Sequence, residues 1–217
     1  MTQHQYIYGP ADKKDIKRAV IFLHGYGANG QDLISLAPLW HEALPNTAYF
    51  APNAPERCEL APPGAPSGFQ WFSLMDRTPA VMTAGAEAAK SGLETYINGV
   101  AEQTGLKMAD IAIVGFSQGT MMALHTLLAM EEGCAGILAY SGRLIEPKDI
   151  KSKPPVCAVH GTADEVVPFE SLEGIRAFCA ENDIPVEHHE RQGLGHGIDE
   201  QALRIGETFL KKCFDLT

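Results

Sequence analysis

The chain has 217 residues, 45% of them hydrophobic and 20% charged, a composition that sustains a folded core without cross-links. Seventeen Lys+Arg stand against 27 Asp+Glu, for a formal net charge of −10, and no basic run is present; a nucleic-acid groove and an anionic-membrane patch are therefore excluded as organising features. The N-terminal MTQHQYIYGPADKKD lacks an apolar signal core, and no apolar run reaches the length of a membrane span, so neither secretion nor stable membrane association is expected.

In chain order, Arg18–Leu23 (RAVIFL) and Ala48–Ala51 read as strands. Pro52–Met75 is proline-rich and aperiodic, and a loop of that length in a compact domain usually serves function. It ends in Trp71-Phe72, which reads either as a plug on the core or as the wall of a pocket. Thr78-Pro79 marks a helix start and Gly105 its stop, with Val81, Gly85, Ala89, Leu93, Tyr96 and Val100 as an amphipathic stripe. Gly85, Gly92 and Gly99 share roughly one face, which predicts close approach of that helix to a sheet.

Further strands are expected at Ile111–Val114, Gly136–Tyr140, Val156–His160 and Val186–Glu190, and helices at Gln118–Glu132, Phe169–Asn182 and Ile198–Phe214. The inner strands are continuous apolar runs, the pattern of parallel strands covered on both faces. Alternating strands and helices predict one α/β domain over residues 1–217, with a mostly parallel central sheet and no large lid domain. Five widely spaced cysteines without a C-x-x-C pair predict reduced thiols in a cytoplasmic protein, with no disulfide framework and no metal site.

The sharpest local signal is Gly115-Phe116-Ser117-Gln118-Gly119, placed directly between an apolar strand and a helix. Such a turn is tight enough to lift a serine side chain above the sheet, and its glycines remove side chains that would collide with neighbouring backbone. Serine needs a base, and the base needs an orienting acid. In the strand–turn–helix architecture these follow in the order acid, then histidine, each in a loop after a strand. Asp164, in His160-Gly161-Thr162-Ala163-Asp164, and His196, in Gly193-Leu194-Gly195-His196-Gly197, occupy those places.

The rivals fit less well. His24 and His160 precede any acid in the required order, His125 lies inside the helix after the serine, and His188 and His189 fall on a strand with one facing in and one out. Glu165 would point away from its neighbour, and Asp199 reads as the cap of the last helix. Two donors are required for a developing oxyanion. The N–H of Gln118 follows the serine, and the N–H of Tyr26 lies in Leu23-His24-Gly25-Tyr26-Gly27, the loop after an early strand.

On these residues the sequence resembles the phospholipase/carboxylesterase family of α/β-hydrolases, which includes the acyl-protein thioesterases. The matching pieces are LHGYGANG at 23–30, Trp71-Phe72, GFSQG at 115–119, HGTADEVVP at 160–168 and GLGH at 193–196, spread over nearly the whole chain in the family's order. The resemblance implies Ser117, Asp164 and His196 as the triad, Tyr26 and Gln118 N–H as the oxyanion hole, and Trp71, Phe72 and Val167 along the substrate cleft. It implies cleavage of short- to medium-chain carboxylic esters through an acyl-serine, no cofactor, a small-molecule ester or thioester substrate, and a homodimer as a common assembly.

The sequence departs from that pattern at two places. Tyr26 stands where thioesterase-like members often carry leucine, and Ser73 where aspartate commonly follows Trp-Phe. Both argue against a long-chain acyl-protein substrate. The alternatives are an acyl-protein thioesterase or lysophospholipase with a longer acyl channel, and a non-catalytic binding module on a hydrolase scaffold. A dienelactone-hydrolase-like chain would want cysteine at the turn, where Ser117 stands.

Overall fold

The computed structural model describes residues 4–60 and 68–216. Its strands are β1 (Gln5–Tyr8), β2 (Arg18–Leu23), β3 (Thr47–Pro52), β4 (Glu56–Arg57), β5 (Phe69–Gln70), β6 (Ile111–Phe116), β7 (Gly136–Tyr140), β8 (Val156–Gly161) and β9 (Val186–Arg191). Its α-helices are α1 (Gly30–Ile34), α2 (Ala37–Trp40), α3 (Pro79–Thr104), α4 (Gln118–Leu127), α5 (Glu170–Glu181) and α6 (Glu200–Cys213). Seven strands form one sheet in the order β1-β3-β2-β6-β7-β8-β9. All of its pairings are parallel except that of β1 with β3.

The apolar runs behave as parallel-strand physics requires. Along β2, Ala19, Ile21 and Leu23 join the core beneath α3, α4 and α5, while Val20 and Phe22 join the core beneath α2 and α6. Residues 19–23 are fully buried, so successive side chains find apolar partners on opposite faces. On the second face Phe22 stacks with Trp40 and Tyr49 at ring-centroid distances of 5.9 and 6.0 Å. This is the α/β-hydrolase arrangement: a mostly parallel sheet with helices on both faces and no large additional domain among the described residues.

Several expectations need correction. The β1 strand was not predicted, because QYIY is too short to show a period of its own; it takes its ladder from β3, with Tyr6 opposite Ala51. The stretch 52–75 is aperiodic in sequence, yet within it Glu56–Arg57 and Phe69–Gln70 pair as an antiparallel hairpin; the part at 61–67 lies outside the described residues. Helix α4 stops at Leu127 rather than at Glu132. The Leu127 carbonyl is taken by the Ser152 hydroxyl at 2.9 Å and the Leu128 carbonyl by the Lys151 N–H at 2.8 Å, so the last turn is capped by a later loop.

In α3 the glycine reading holds at one position only. A Cβ at Gly85 would come within 3.0 Å of the Phe72 ring, whereas Gly92 and Gly99 have nothing within 4 Å. The close approach is thus to a buried phenyl ring and not to the sheet.

Both glycines of the serine turn are sterically required. A Cβ at Gly115 would lie 2.6 Å from Thr120 Cα, and one at Gly119 would overlap the Leu23 carbonyl oxygen. Gly119→Ala is therefore expected to destabilise the protein by about 3 kcal/mol or more, since a strand or a helix must move to admit the methyl group. Gly92→Ala, in open space on a helix, is expected to stabilise it by about 0.5–1 kcal/mol. Urea unfolding midpoints of the two variants check both signs.

Candidate active site

The predicted site residues gather at the C-terminal edge of the sheet, the edge where open α/β sheets place their ligands. Ser117 follows β6, Asp164 follows β8, His196 follows β9 and Tyr26 follows β2.

Ser117 has φ 55° and ψ −114°. A non-glycine residue there carries strain of about 1–3 kcal/mol, and surrounding bonds must hold it. They do: the Ser117 N–H donates to the Tyr140 carbonyl at 3.0 Å, and the same oxygen accepts the Thr120 hydroxyl at 2.8 Å. The Tyr140 hydroxyl donates in turn to the Ala202 carbonyl at 2.9 Å. Ser117 Oγ caps no N–H of α4, so its side chain is left to the cleft.

Asp164 and His196 are brought together. The Asp164 carboxylate is buried, accepts the Val166 and Val167 N–H groups on Oδ1 at 2.9 Å each, and meets His196 Nδ1 with Oδ2 at 2.8 Å. A carboxylate only accepts, so Nδ1 carries the hydrogen and Nε2 keeps its lone pair. Burial opposes ionisation of Asp164, but the hydrogen bonds from His196, Val167 and Val166 outweigh it and hold the carboxyl below its ordinary value.

The loop that carries His196 is fastened on several sides. Gly193, at φ 73°, donates its N–H to Thr162 Oγ1 at 2.8 Å, and the Ala163 N–H donates to the Leu194 carbonyl at 3.0 Å. Arg191 and Asp199 close the loop's base with an ion pair at 2.8 Å, and Asp199 caps α6 as expected through the Ala202 N–H. The His196 ring lies 4.9 Å from that of Phe116, the residue before Ser117. No hydrogen bond joins Ser117 Oγ to His196 in this structure; Phe116 packs on the His196 ring, and the Ser141 hydroxyl, after β7, donates to the Gly197 carbonyl at 3.3 Å.

The two N–H groups predicted as oxyanion donors find no acceptor among the described residues. Gln118 N–H is the first of α4, at the positive end of the helix dipole. The Tyr26 loop is pinned around its free N–H: Gly27 N–H donates to the Phe69 carbonyl at 2.9 Å, and Phe69 N–H to the Ala28 carbonyl at 2.7 Å. Beneath it, buried His24 accepts the Ala54 N–H on Nε2 at 2.9 Å and donates from Nδ1 to the Gly25 carbonyl at 2.8 Å. That pairing requires the neutral ring, and burial lowers the His24 pKa accordingly.

Trp71, Phe72 and Val167 are all buried. The Gln118 amide grips the first two, its Oε1 accepting the Trp71 N–H at 3.0 Å and its Nε2 donating to the Phe72 carbonyl at 2.8 Å. Trp71 borders a cavity of about 680 Å³, shared with Asn53, Phe69, Leu93 and Tyr96, whose lining among the described residues includes neither Ser117 nor His196.

Sequence reasoning set His160 aside as a rival base, yet His160 Nε2 sits 3.2 Å from Asp164 Oδ2 and donates to the Val167 carbonyl at 3.0 Å. Its place four residues before Asp164, across one turn, was the available signal. Where a metal is concerned, Cys157, Glu187 and His189 bring ligand atoms within 4.8 Å of one another. The group lies away from the serine, Lys212 already holds Glu187 at 2.9 Å, and burial raises the Cys157 thiol well above its ordinary value.

Comparison with known proteins agrees with this geometry. Esterase PE8 superposes with a TM-score of 0.90 at 37% sequence identity, covering 98% of this chain and all of the other. The acyl-protein thioesterase 1 of Saccharomyces cerevisiae is 29% identical over 215 residues, 90% of this chain and 92% of its own. Esterase YpfH of Escherichia coli is 24% identical over 220 residues, 96% of this chain and 88% of its own. A serine on a strained strand-to-helix turn, a carboxylate–imidazole pair beyond it and a family match over residues 3–214 converge on one assignment: the chain belongs to the phospholipase/carboxylesterase family.

Proposed function

We propose that this hydrolase of ester bonds works through Ser117, His196 and Asp164, in a single domain that spans the chain. His196 Nε2 takes the proton of Ser117 Oγ as that oxygen attacks the ester carbonyl carbon. The negative charge that develops on the carbonyl oxygen is met by the Tyr26 and Gln118 N–H groups, and loss of one such donor typically costs about 10²–10³ in rate. The tetrahedral intermediate collapses as His196 protonates the departing alcohol or thiol, leaving an acyl-serine. Water, deprotonated by His196, attacks the acyl-serine carbonyl, and His196 returns that proton to Ser117 Oγ as the carboxylic acid departs. Asp164 holds the imidazole in the required tautomer and stabilises the imidazolium.

The observation that carries this reading is the Asp164–His196 bond beside a serine held at positive φ with an unused hydroxyl. Short to medium acyl chains are supported by Trp71 and Phe72, buried residues that the side chain of Gln118, next to Ser117, fixes in place, while Val167 lies beside Asp164 through its N–H bond to that carboxylate. A net charge of −10 supports a small-molecule substrate over a nucleic acid. Five free thiols support a cytoplasmic location, and among the described residues no helix is long and apolar enough to cross a membrane.

The reading is tested by labelling with a fluorophosphonate probe and locating the adduct by mass spectrometry. Ser117 is expected to carry the label in the wild type and to lose at least nine-tenths of it, as an order-of-magnitude figure, in His196→Ala. An unlabelled Ser117 in folded wild-type protein would turn the reading to a binding module.

A further inference from the structure

We propose that Glu59 is a positioning residue for the oxyanion hole, latching the Tyr26 loop to the segment that Gln118 holds. The proposal rests on the reading of Tyr26 and Gln118 as the two oxyanion donors and adds to it a residue that neither the triad nor the resemblance requires.

The hydrogen bonds form a continuous path. From Gln118 the side-chain amide grips the backbone of Trp71 and Phe72, as above. The next residue, Ser73, donates its hydroxyl to Glu59 Oε1 at 2.8 Å, and the Leu74 N–H donates to the same oxygen at 3.2 Å. The Tyr26 hydroxyl donates to that oxygen too, at 2.6 Å. The path thus leaves one oxyanion donor at Gln118 and arrives at the residue that carries the other.

Several features mark this as more than a chance surface contact. Glu59 is anchored before it bonds anything else, its own N–H donating to Gln70 Oε1 at 3.0 Å. The Gln70 amide nitrogen is shared between Glu56 Oε2 at 3.0 Å and Glu59 Oε2 at 3.5 Å, which orients the carboxylate. The Tyr26 bond is charge-assisted and short, the stronger kind. The gathered donors hold the Glu59 carboxyl below its ordinary pKa, with the Tyr26 hydroxyl the largest cause, so the acceptor is charged in the neutral range.

Tyr26 and Ser73 supply the two hydroxyls that meet at one Glu59 oxygen. Leucine at 26 would leave Glu59 without its shortest bond, and aspartate at 73 would set two carboxylates against each other.

The effect expected is on geometry and not on substrate contact. His24 and the Phe69 carbonyl fix the inner side and the far end of the Tyr26 loop, and Glu59 fixes its outer side. Released there, the Tyr26 N–H samples directions that miss the oxyanion, which costs rate in the tetrahedral state and little in substrate binding.

The test is a double-mutant cycle on the intact protein with a p-nitrophenyl acyl ester. Tyr26→Phe keeps the backbone N–H and the ring, and Glu59→Ala removes the latch; each is expected to lower kcat by about tenfold, with KM changed by less than about threefold. The double variant is expected to fall no further than the singles, because each single already opens the same bond. Glu59→Gln, which keeps the acceptor oxygen, is expected to recover most of the kcat lost in Glu59→Ala. Single losses below about twofold, losses that multiply in the double variant, or a loss carried by KM would each overturn the latch. Fluorophosphonate labelling of Ser117 separates the two readings: latch variants that still label while kcat is unchanged overturn the latch alone, whereas wild type that does not label overturns the parent reading.

Discussion

Ser117→Ala is expected to lower kcat for an activated ester by about 10⁶-fold while leaving the fold intact. The reason lies in what the rest of the site can do without the oxygen. The Tyr26 and Gln118 N–H groups and the Asp164–His196 pair would still stabilise attack by water, so a residual rate of about 10³–10⁴ over the uncatalysed reaction is expected. The alanine keeps a Cβ at φ 55° and keeps the strain with it. Ser117→Gly removes both, and is expected to be equally inactive but more stable by about 1 kcal/mol. Steady-state hydrolysis of a p-nitrophenyl ester and urea unfolding of the two variants measure these effects separately. Turnover within tenfold of the wild type in Ser117→Ala would sink the acyl-serine mechanism.

Asp164→Asn is expected to cost about 10⁴ in kcat, for a different reason. An amide presents N–H as well as oxygen to its surroundings. Oδ1 already accepts the Val166 and Val167 N–H groups, which leaves the amide nitrogen facing His196 Nδ1. That face favours the tautomer with hydrogen on Nε2, the atom that receives the serine proton in the proposed mechanism. The same substitution changes acid stability, with a definite sign. The folded-state pKa of Asp164 lies below its ordinary 3.8, so its stabilising contribution is complete above that value and is lost as pH falls through the lower, folded-state pKa. The wild type is therefore expected to lose more of its urea midpoint between pH about 5 and pH about 2 than Asp164→Asn does. A pH series of unfolding curves measures the difference, and parallel acid limbs would show that the Asp164 bonds contribute nothing to folding.

Much of this arrangement was legible in the chain because it depends on local rules. An apolar run such as IAIV has few fates other than a doubly covered strand, and glycines two residues before and after Ser117 are explained only by the backbone they touch. The order serine, acid, histidine follows from the order of the strands, so Asp164 and His196 could be placed without knowing a distance. What escaped the sequence is held by partners far apart in the chain. Strand β1 exists because β3 offers a free edge. The hairpin of β4 and β5 forms on a Tyr26 loop that precedes it by some distance, and no periodicity records that. The order rule sets His160 aside as a base and says nothing about a histidine that braces the Asp164 loop.

Tyr140 contributes no group to the chemistry, yet it touches both layers of the molecule. Its carbonyl holds the Ser117 N–H and the Thr120 hydroxyl on the α4 side, and its phenol reaches through the other face to the first turn of α6. Gly206 makes room for that phenol, since a Cβ there would overlap its oxygen. The sheet is therefore not a partition between a working face and a supporting one. The outer helix and Ser117 are joined through one residue, Tyr140, whose carbonyl helps hold Ser117 at φ 55°.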